Sequence, residues 1–149
     1  MRYFLFLLTA FTLTTISCKK ESQADIDDKK ILKYAEDNNL DLESHDSGIY
    51  YLVENEGTGT AHPNFNSQIV AHYKGTFLDD ETFDSSIGGA PFSFKLGQVI
   101  EGWQIAIPLM KKGEKTKFFI PSKLAYGSKG RGNVPGNSVL IFDIELISF

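Results

Sequence analysis

The sequence has few of the residues that build covalent or metal-held frameworks. Among its 149 residues there is one cysteine, Cys18, and there are three histidines, His45, His62 and His72. A single cysteine excludes an internal disulfide framework and a cysteine-based zinc site. No two histidines have the spacing of metal ligands that share one face of a helix. We therefore expect no metal site.

Clustered positive charge is also missing. The chain has 15 basic and 19 acidic side chains, which gives a net charge of −4. A nucleic-acid-binding protein needs a positive patch that meets phosphates, so we expect no nucleic-acid partner. The apolar content of 42% predicts a packed fold rather than disorder, and the length favours a single domain.

Several common catalytic patterns are absent or incomplete. The glycine-rich stretch 127–132 lacks the Gly-Lys-Ser/Thr ending of a phosphate-binding loop, and we interpret it as a flap. No serine lies in a Gly-x-Ser-x-Gly elbow. The acidic residues Asp79, Asp80, Glu81 and Asp84 lack the spacing of a calcium loop, so they indicate a solvated turn.

No hydrophobic run reaches the length of a bilayer span, which takes about 20 apolar residues. The charge-free run at 3–16 follows Arg2 and predicts the apolar part of a signal peptide over residues 1–17. The run ends beside Cys18 and resembles a bacterial lipoprotein signal, in which the cysteine becomes the first residue and carries the lipid. The alternative is an ordinary signal peptide beside a chance cysteine.

The lipoprotein pattern also predicts a location. We expect Cys18 to be acylated and residues 18–25 to form a tether. The protein would then be lipid-anchored in a bacterial cell envelope. Lys19, rather than aspartate, follows the cysteine. In the enteric sorting pattern this favours the outer membrane, with the domain facing the periplasm or the cell surface.

The region after the tether carries a helical pattern. Ile31, Leu32 and Ala35 recur at helical spacing, and acidic residues precede them. We predict a helix over 26–38 within an N-terminal extension, residues 26–47, that packs on the main domain or caps it.

Residues 48–149 alternate between apolar and polar positions, as half-buried strands do. The one good helical cover for a sheet is the segment 100–109, which Pro108 limits to about two turns. We predict an α+β fold in which a curved antiparallel sheet, covered on one face, wraps around one short helix. The predicted strands lie at 49–53, 69–74, 92–96, 115–120 and 138–149, with short strands around a turn at 79–81, five or six in all.

Aromatic residues from different elements fall on one side of this predicted sheet. Such residues most often form a core. Here, however, Asp84 directly follows Phe83, and the only tryptophan, Trp103, lies on the covering helix. An aromatic cup with a carboxylate and phenol groups is typical of a pocket for a small apolar group that carries hydrogen-bond acceptors. The aromatic set is Tyr73, Phe83, Phe92, Phe94, Trp103, Tyr126 and Phe142.

A series of short motifs runs through the same region in a fixed order. The motifs are His72-Tyr73-Lys74-Gly75, Phe83-Asp84-Ser85-Ser86, Pro91-Phe92-Ser93-Phe94, Val99-Ile100-Glu101-Gly102-Trp103, Met110-Lys111-Lys112-Gly113-Glu114, Ile120-Pro121, Ala125-Tyr126-Gly127 and Val139-Leu140-Ile141-Phe142-Asp143-Ile144-Glu145-Leu146. In order and spacing they resemble the FKBP-type (macrolide-binding) peptidyl-prolyl cis-trans isomerases over about residues 48–149. With its leader and helical extension, the chain resembles exported lipoprotein members of that family from bacteria.

The resemblance implies an FKBP-like fold and an activity. The implied reaction is rotation about X–Pro bonds in exported proteins, which assists their folding and needs no cofactor. The implied partners are proline-containing peptides, unfolded exported proteins and macrolide inhibitors. The alternative, which would use the same residues, is a proline-directed binding or chaperone module with little turnover.

The resemblance also implies site residues. Trp103 would form the floor under the pyrrolidine ring, and the Ile100 backbone N–H and the Tyr126 hydroxyl would bind substrate carbonyls. The implied catalytic residues are Tyr73, Phe83, Asp84, Trp103, Tyr126 and Phe142. The implied substrate-binding residues are Phe92, Val99, Ile100 and Val134, the last as an apolar wall in a flap that spans residues 127–136.

Asp84 has no basic neighbour in the loop that follows it. Residues 85–90 read Ser-Ser-Ile-Gly-Gly-Ala, and the nearest basic candidates, Lys129 and Arg131, lie in the predicted flap. We therefore expect a carboxylate that is desolvated in the aromatic pocket without a counter-ion. The hydroxyls of Tyr73 and Tyr126 would be its hydrogen-bond donors.

Overall fold

The computed structural model describes residues 20–149, so the predicted signal peptide and Cys18 lie outside the described residues. No helix within this range is long and apolar enough to cross a membrane. The α-helices are α1 (Gln23–Asp37) and α2 (Glu101–Ala106). The strands are β1 (Glu43–Ser44), β2 (Tyr50–Asn55), β3 (Gln68–Thr76), β4 (Thr82–Ser85), β5 (Phe92–Lys95), β6 (Lys115–Ile120) and β7 (Leu140–Ser148). Short 3-10 helices lie at Leu96–Gln98, Ile107–Leu109 and Ser122–Leu124.

The strands form one open antiparallel sheet in the order β1-β2-β6-β7-β3-β4, with β5 also paired to β3. The predicted antiparallel sheet is confirmed, and β6 has its predicted bounds. Strand β1 is an addition to the five or six predicted strands. Its two residues are too few to show a period-two pattern, and it forms within the predicted helical extension.

The helix α2 covers one face of the sheet, which we call the inner face. The helix is short because Pro108 follows its last turn, and the chain continues there as the 3-10 helix Ile107–Leu109. Gly102 allows close packing, since a Cβ atom there would lie 2.4 Å from Cγ2 of Ile120. The sheet curves around α2 only loosely, because it is open and its edge strands β1 and β4 do not pair.

The helix α1 begins at Gln23, before the predicted start at residue 26. Ser22 and Asp25 form a capping box: the Asp25 N–H donates to the Ser22 hydroxyl at 3.2 Å, and the Ser22 N–H donates to Asp25 Oδ2 at 3.0 Å. The predicted start is therefore wrong, and the last residues of the predicted tether are helical. The apolar pattern misses this turn because a cap acts through backbone donors that periodicity does not reveal.

A second core forms where α1 packs on the outer face, opposite α2. Ile31 of α1 packs with Phe119 of β6, with Ile141 of β7 and with Val139. The ring of Tyr34 lies 5.6 Å from the ring of Phe119. The prediction that only one face of the sheet is covered is therefore wrong at this end of the sheet.

Polar contacts add to the attachment of α1. The Tyr34 hydroxyl donates to Asp80 at 2.8 Å, and the Tyr50 hydroxyl of β2 donates to Asp28. Burial, with the bond to Asp80, raises the pKa of Tyr34 to about 12. The bond to Asp28, with burial, raises the pKa of Tyr50 to about 12. The predicted extension thus packs on the domain and shares its core.

Candidate active site

The inner face of the sheet opens, beside α2, into a cavity of about 730 Å³, which we call the aromatic cavity. All ten residues that the family resemblance implied for the site line this cavity, although their roles stay predictions, whereas Phe94 of the predicted aromatic set does not line it. The six expected catalytic residues in the lining are Tyr73, Phe83, Asp84, Trp103, Tyr126 and Phe142, and the four expected binding residues are Phe92, Val99, Ile100 and Val134. The lining residues that sequence reasoning missed are Gln98, Ala125, Arg131, Gly132 and Asn133.

Strand pairing brings the aromatic side chains together. Gly75 of β3 lies opposite Asp84 of β4 on one side and opposite Phe142 of β7 on the other. The absence of a side chain at Gly75 leaves room for the ring of Phe83, because a Cβ atom there would lie 2.5 Å from Cζ of that ring. The rings of Phe83 and Phe142 meet edge to face with their centroids 5.6 Å apart.

Trp103 forms the floor of the cavity and is 4% exposed. The rings of Tyr73 and Phe142 contact it edge to face at 5.1 and 5.2 Å. Phe94 packs on it at 5.3 Å but belongs to the core rather than to the lining. Within residues 20–149, the Trp103 indole nitrogen is the only buried side-chain polar atom without a hydrogen-bond partner. Ring packing therefore holds Trp103 in place without a hydrogen bond from its indole N–H.

Tyr73 and Asp84 form a polar edge of the cavity. The Tyr73 hydroxyl donates to Asp84 Oδ2 at 2.6 Å, and the Ser85 backbone N–H donates to Oδ1 at 2.9 Å. Burial, and then the bond to this carboxylate, raises the pKa of the Tyr73 hydroxyl well above its usual value, so it stays a donor. Asp84 itself is exposed to solvent, because β4 is an edge strand. The prediction that its carboxylate is desolvated in the aromatic pocket is therefore wrong. Arg131 lies over the Tyr126 ring, 6.0 Å from the centroid.

The flap, residues 127–136, closes one side of the cavity. Arg131 and Val134 exchange two backbone hydrogen bonds of 2.9 and 3.0 Å, which fold the flap back on itself. Val134 is buried and lies in the cavity wall. The Asn133 side-chain amide donates to the Phe83 carbonyl at 3.3 Å, which ties the flap to β4. Nothing in the sequence pattern indicates this last contact.

The polar groups of the site suit binding of an organic group. No set of three His, Cys, Asp or Glu side chains able to hold a metal ion occurs in the described part of the chain. His72 lies on the outer face of the sheet, away from the cavity, and its Nδ1 lies 3.1 Å from Ser86 Oγ. The lining of the cavity offers apolar walls, the hydroxyls of Tyr73 and Tyr126, the carboxylate of Asp84, the guanidinium of Arg131 and the side-chain amides of Gln98 and Asn133. The apolar walls of such a site can pack on the faces of a small apolar ring. Its hydroxyls can donate hydrogen bonds to carbonyl groups beside that ring.

Comparison with known proteins assigns the family. The family model described as FKBP-type peptidyl-prolyl cis-trans isomerase matches residues 59–147, so the chain belongs to that family, as the motifs in residues 48–149 indicated. It is 49% identical over 108 residues to the FKBP-type peptidyl-prolyl cis-trans isomerase FkpA of Aeromonas hydrophila, over 72% of this chain and 40% of the relative. It is 41% identical over 116 residues to FkpA of Escherichia coli K12, over 77% of this chain and 42% of that relative. The chain thus spans well under half the length of these relatives.

Solved structures support the same fold. The crystal structure of FkpA from Escherichia coli matches with a TM-score of 0.74 and 38% identity, over 84% of this chain and 60% of that one. A peptidyl-prolyl cis-trans isomerase from Pseudomonas syringae matches with a TM-score of 0.71 and 29% identity, over 87% of this chain and 98% of that one. The FKBP-like fold expected from the motifs is therefore confirmed.

Proposed function

We propose that this chain is a peptidyl-prolyl cis-trans isomerase that accelerates rotation about X–Pro bonds in exported proteins and so assists their folding. The observation that carries the proposal is the aromatic cavity, with Trp103 as an apolar floor and Tyr73, Asp84 and Tyr126 in its lining. Membership of the FKBP-type family supports the same activity.

The reaction can proceed without a covalent step. Rotation about an X–Pro amide has an uncatalysed barrier of about 18–20 kcal/mol and takes ~10–100 s. The twisted amide has lost its resonance, so it has less charge separation than the planar amide. An apolar cavity with little water therefore disfavours the planar form relative to the twisted one, which lowers the barrier.

Each part of the lining has a role in this mechanism. The proline ring rests on Trp103, between the aromatic walls. The Ile100 backbone N–H and the Tyr126 hydroxyl bind substrate carbonyl groups, while Val134 limits the cavity from the flap side. Asp84 acts electrostatically and through its hydrogen bond from Tyr73, and it does not transfer a proton. The remaining walls are Phe83, Phe92, Val99 and Phe142.

A binding or chaperone module with little turnover is the second candidate. Apolar surface near the cavity favours it, because Phe92 is 41% exposed and Ile87, in the loop that leads to Phe92, is 64% exposed. Surface of this kind can hold unfolded chains that expose proline and apolar side chains. Macrolide inhibitors would occupy the same cavity and compete with peptides in both cases.

A proline-limited refolding assay separates the two candidates. We expect the purified full chain to accelerate the slow refolding phase without added cofactor, and Tyr126→Phe to accelerate it less. Leu32→Ala is a matched control, because Leu32 is an exposed residue of α1 far from the cavity lining. A folded chain that binds proline peptides but leaves the slow phase unchanged would reject the isomerase and support the binding module.

We further propose that a lipid on Cys18 anchors the domain at a bacterial cell envelope, at the outer membrane with the domain facing the periplasm or the cell surface. The charge-free run at 3–16 and the cysteine that follows it support this proposal. We expect Cys18→Ser to move the protein out of the membrane fraction or to leave its precursor unprocessed. An N-terminal peptide of the wild type without the mass of a lipid would contradict the proposal.

A further inference from the structure

A buried carboxylate joins α1 to the loop that carries Tyr126. Asp27 of α1 is fully buried, and its Oδ2 accepts hydrogen bonds from the backbone N–H and the hydroxyl of Ser122, at 2.9 and 2.6 Å. Its Oδ1 accepts from the Gln23 side-chain amide at 2.8 Å. A buried charge is costly unless hydrogen bonds compensate it, and three donors do so here. The contact thus fixes Ser122 strongly against α1.

The other side of Ser122 faces the turn before the flap. The Ser122 carbonyl accepts from the backbone N–H groups of Ala125 and Gly127, at 3.1 and 2.8 Å. These two donors flank Tyr126, so both neighbours of this residue are bonded to Ser122. Gly127 has a φ of +61°, which a glycine adopts at little cost, and its carbonyl accepts from Asn137 at the far end of the flap.

We propose that Asp27 is a positioning residue for the aromatic cavity, acting through Ser122 on the turn that presents Tyr126. This inference rests on the proposed function, in which the Tyr126 hydroxyl binds a substrate carbonyl. Ala125 and Tyr126 both line the cavity, whereas Asp27 and Ser122 do not. A helix on the outer face of the sheet thereby sets the geometry of a group on the inner face, and small displacements of such groups cost much activity.

The other polar contacts of α1 provide a matched control. The Tyr50 hydroxyl donates to Asp28, the neighbour of Asp27, and joins α1 to β2 rather than to the Ser122 turn. Tyr50→Phe therefore weakens the attachment of α1 without removing a donor or acceptor from Ser122. If α1 contributed only stability, Asp27 and Tyr50 variants would have the same kind of effect.

The experiment compares Asp27→Ala, Ser122→Ala and Tyr50→Phe in the purified full chain, well below the unfolding temperature. We expect kcat/KM for a proline peptide to fall about ten-fold in Asp27→Ala and less in Ser122→Ala, which keeps the backbone donor. Tyr50→Phe should stay within about two-fold of the wild type. Hydrogen exchange of the Ala125 and Gly127 amides is measured alongside, because it reports the Ser122 turn without reference to activity.

The two readouts together decide the matter. Faster exchange at Ala125 and Gly127 with unchanged exchange in β6, together with a kcat/KM that falls in Asp27→Ala, falls less in Ser122→Ala and is kept in Tyr50→Phe, supports the positioning role. Equal kcat/KM in Asp27→Ala, Ser122→Ala and wild type, with each variant folded, overturns it. If the folded wild type neither binds nor isomerises proline peptides, the proposed function is rejected. Faster exchange at Ala125 and Gly127 in Asp27→Ala would in that case still support the link between α1 and the turn that carries Tyr126. Ser122→Ala keeps the test valid should Asp27→Ala fail to fold.

Discussion

The inner and outer faces of the sheet are formed by the same strands, but they pack against different helices and differ in how fully they are covered. In β6, Phe118 and Phe119 are neighbours that point to opposite faces, and both are fully buried. Phe118 pairs with Phe142 beside the aromatic cavity, while Phe119 pairs with Ile141 in the closed core under α1. The inner cover α2 has 6 residues and the outer cover α1 has 15. The short cover that Pro108 ends leaves aromatic rings partly uncovered, whereas the long cover closes the end of the outer face that carries Phe119 and Ile141.

The largest expected effect comes from one aromatic residue on each face. We expect Phe142→Ala and Phe119→Ala each to lower the free energy of unfolding by about 3–5 kcal/mol, because each removes a buried ring from a core. Only Phe142→Ala should also weaken the binding of a proline peptide, since Phe119 does not line the cavity. Chemical unfolding and calorimetric titration measure the two effects. Equal loss of peptide binding in both variants would show that the faces are not independent.

A smaller effect should follow from filling the space at Gly75 on the inner face. A Cβ atom there would meet the Phe83 ring, so we expect Gly75→Ala to displace that ring, to weaken peptide binding and to destabilise the fold by roughly 1–3 kcal/mol. Gly89→Ala is the matched control, because its Cβ atom would meet only the Ser86 carbonyl oxygen at 3.7 Å, an ordinary contact. Equal peptide affinity in the two variants would show that the position of Phe83 does not matter for binding.

A smaller loss of stability on the outer face should follow from removing the N-terminal cap of α1. Ser22→Ala removes one half of the capping box, and we expect a loss of about 1 kcal/mol in the free energy of unfolding with no change in peptide binding. Urea unfolding and the same calorimetric titration check both parts. Ser44→Ala serves as a control for removal of an exposed hydroxyl outside any helix cap. A clear drop in peptide affinity in Ser22→Ala would connect the N-terminal turn to the cavity.

The sequence predicts the inner face well, because its signals repeat along the chain. In β7, Phe142, Ile144 and Leu146 alternate with Asp143 and Glu145, and the bounds of β6 follow from the same period. The motifs around Trp103 and Tyr126 then indicate the lining of the cavity. Short local patterns suffice there, because strand register carries each alternating residue to the same face.

The outer core is harder to predict, although one signal was available. Phe119 and Ile141 are apolar at positions where alternation expects polar side chains, which indicates that something covers them. The partner, Ile31, is distant in sequence, and its contact follows from tertiary packing rather than from local period. The exposure of Asp84 depends in the same way on β4 being an edge strand, a property of the sheet order. Long-range arrangement therefore decides the features that local patterns miss.

The smallest effect concerns the tyrosines that attach α1. The pKa of Tyr34 and of Tyr50 is raised to about 12, against about 10 in an unfolded chain. Between these values the folded state keeps protons that the unfolded state loses, so stability is complete below about pH 10 and falls as pH rises toward 12. We expect the double variant Tyr34→Phe/Tyr50→Phe to be less stable at pH 9 but to lose less stability between pH 9 and pH 12 than the wild type, as measured by urea unfolding.

Tyr73, on the inner face, keeps its raised pKa in that variant, so part of the dependence of stability on pH should remain. An identical slope in wild type and double variant would show that these two outer-face hydroxyls do not hold their protons more tightly in the folded state.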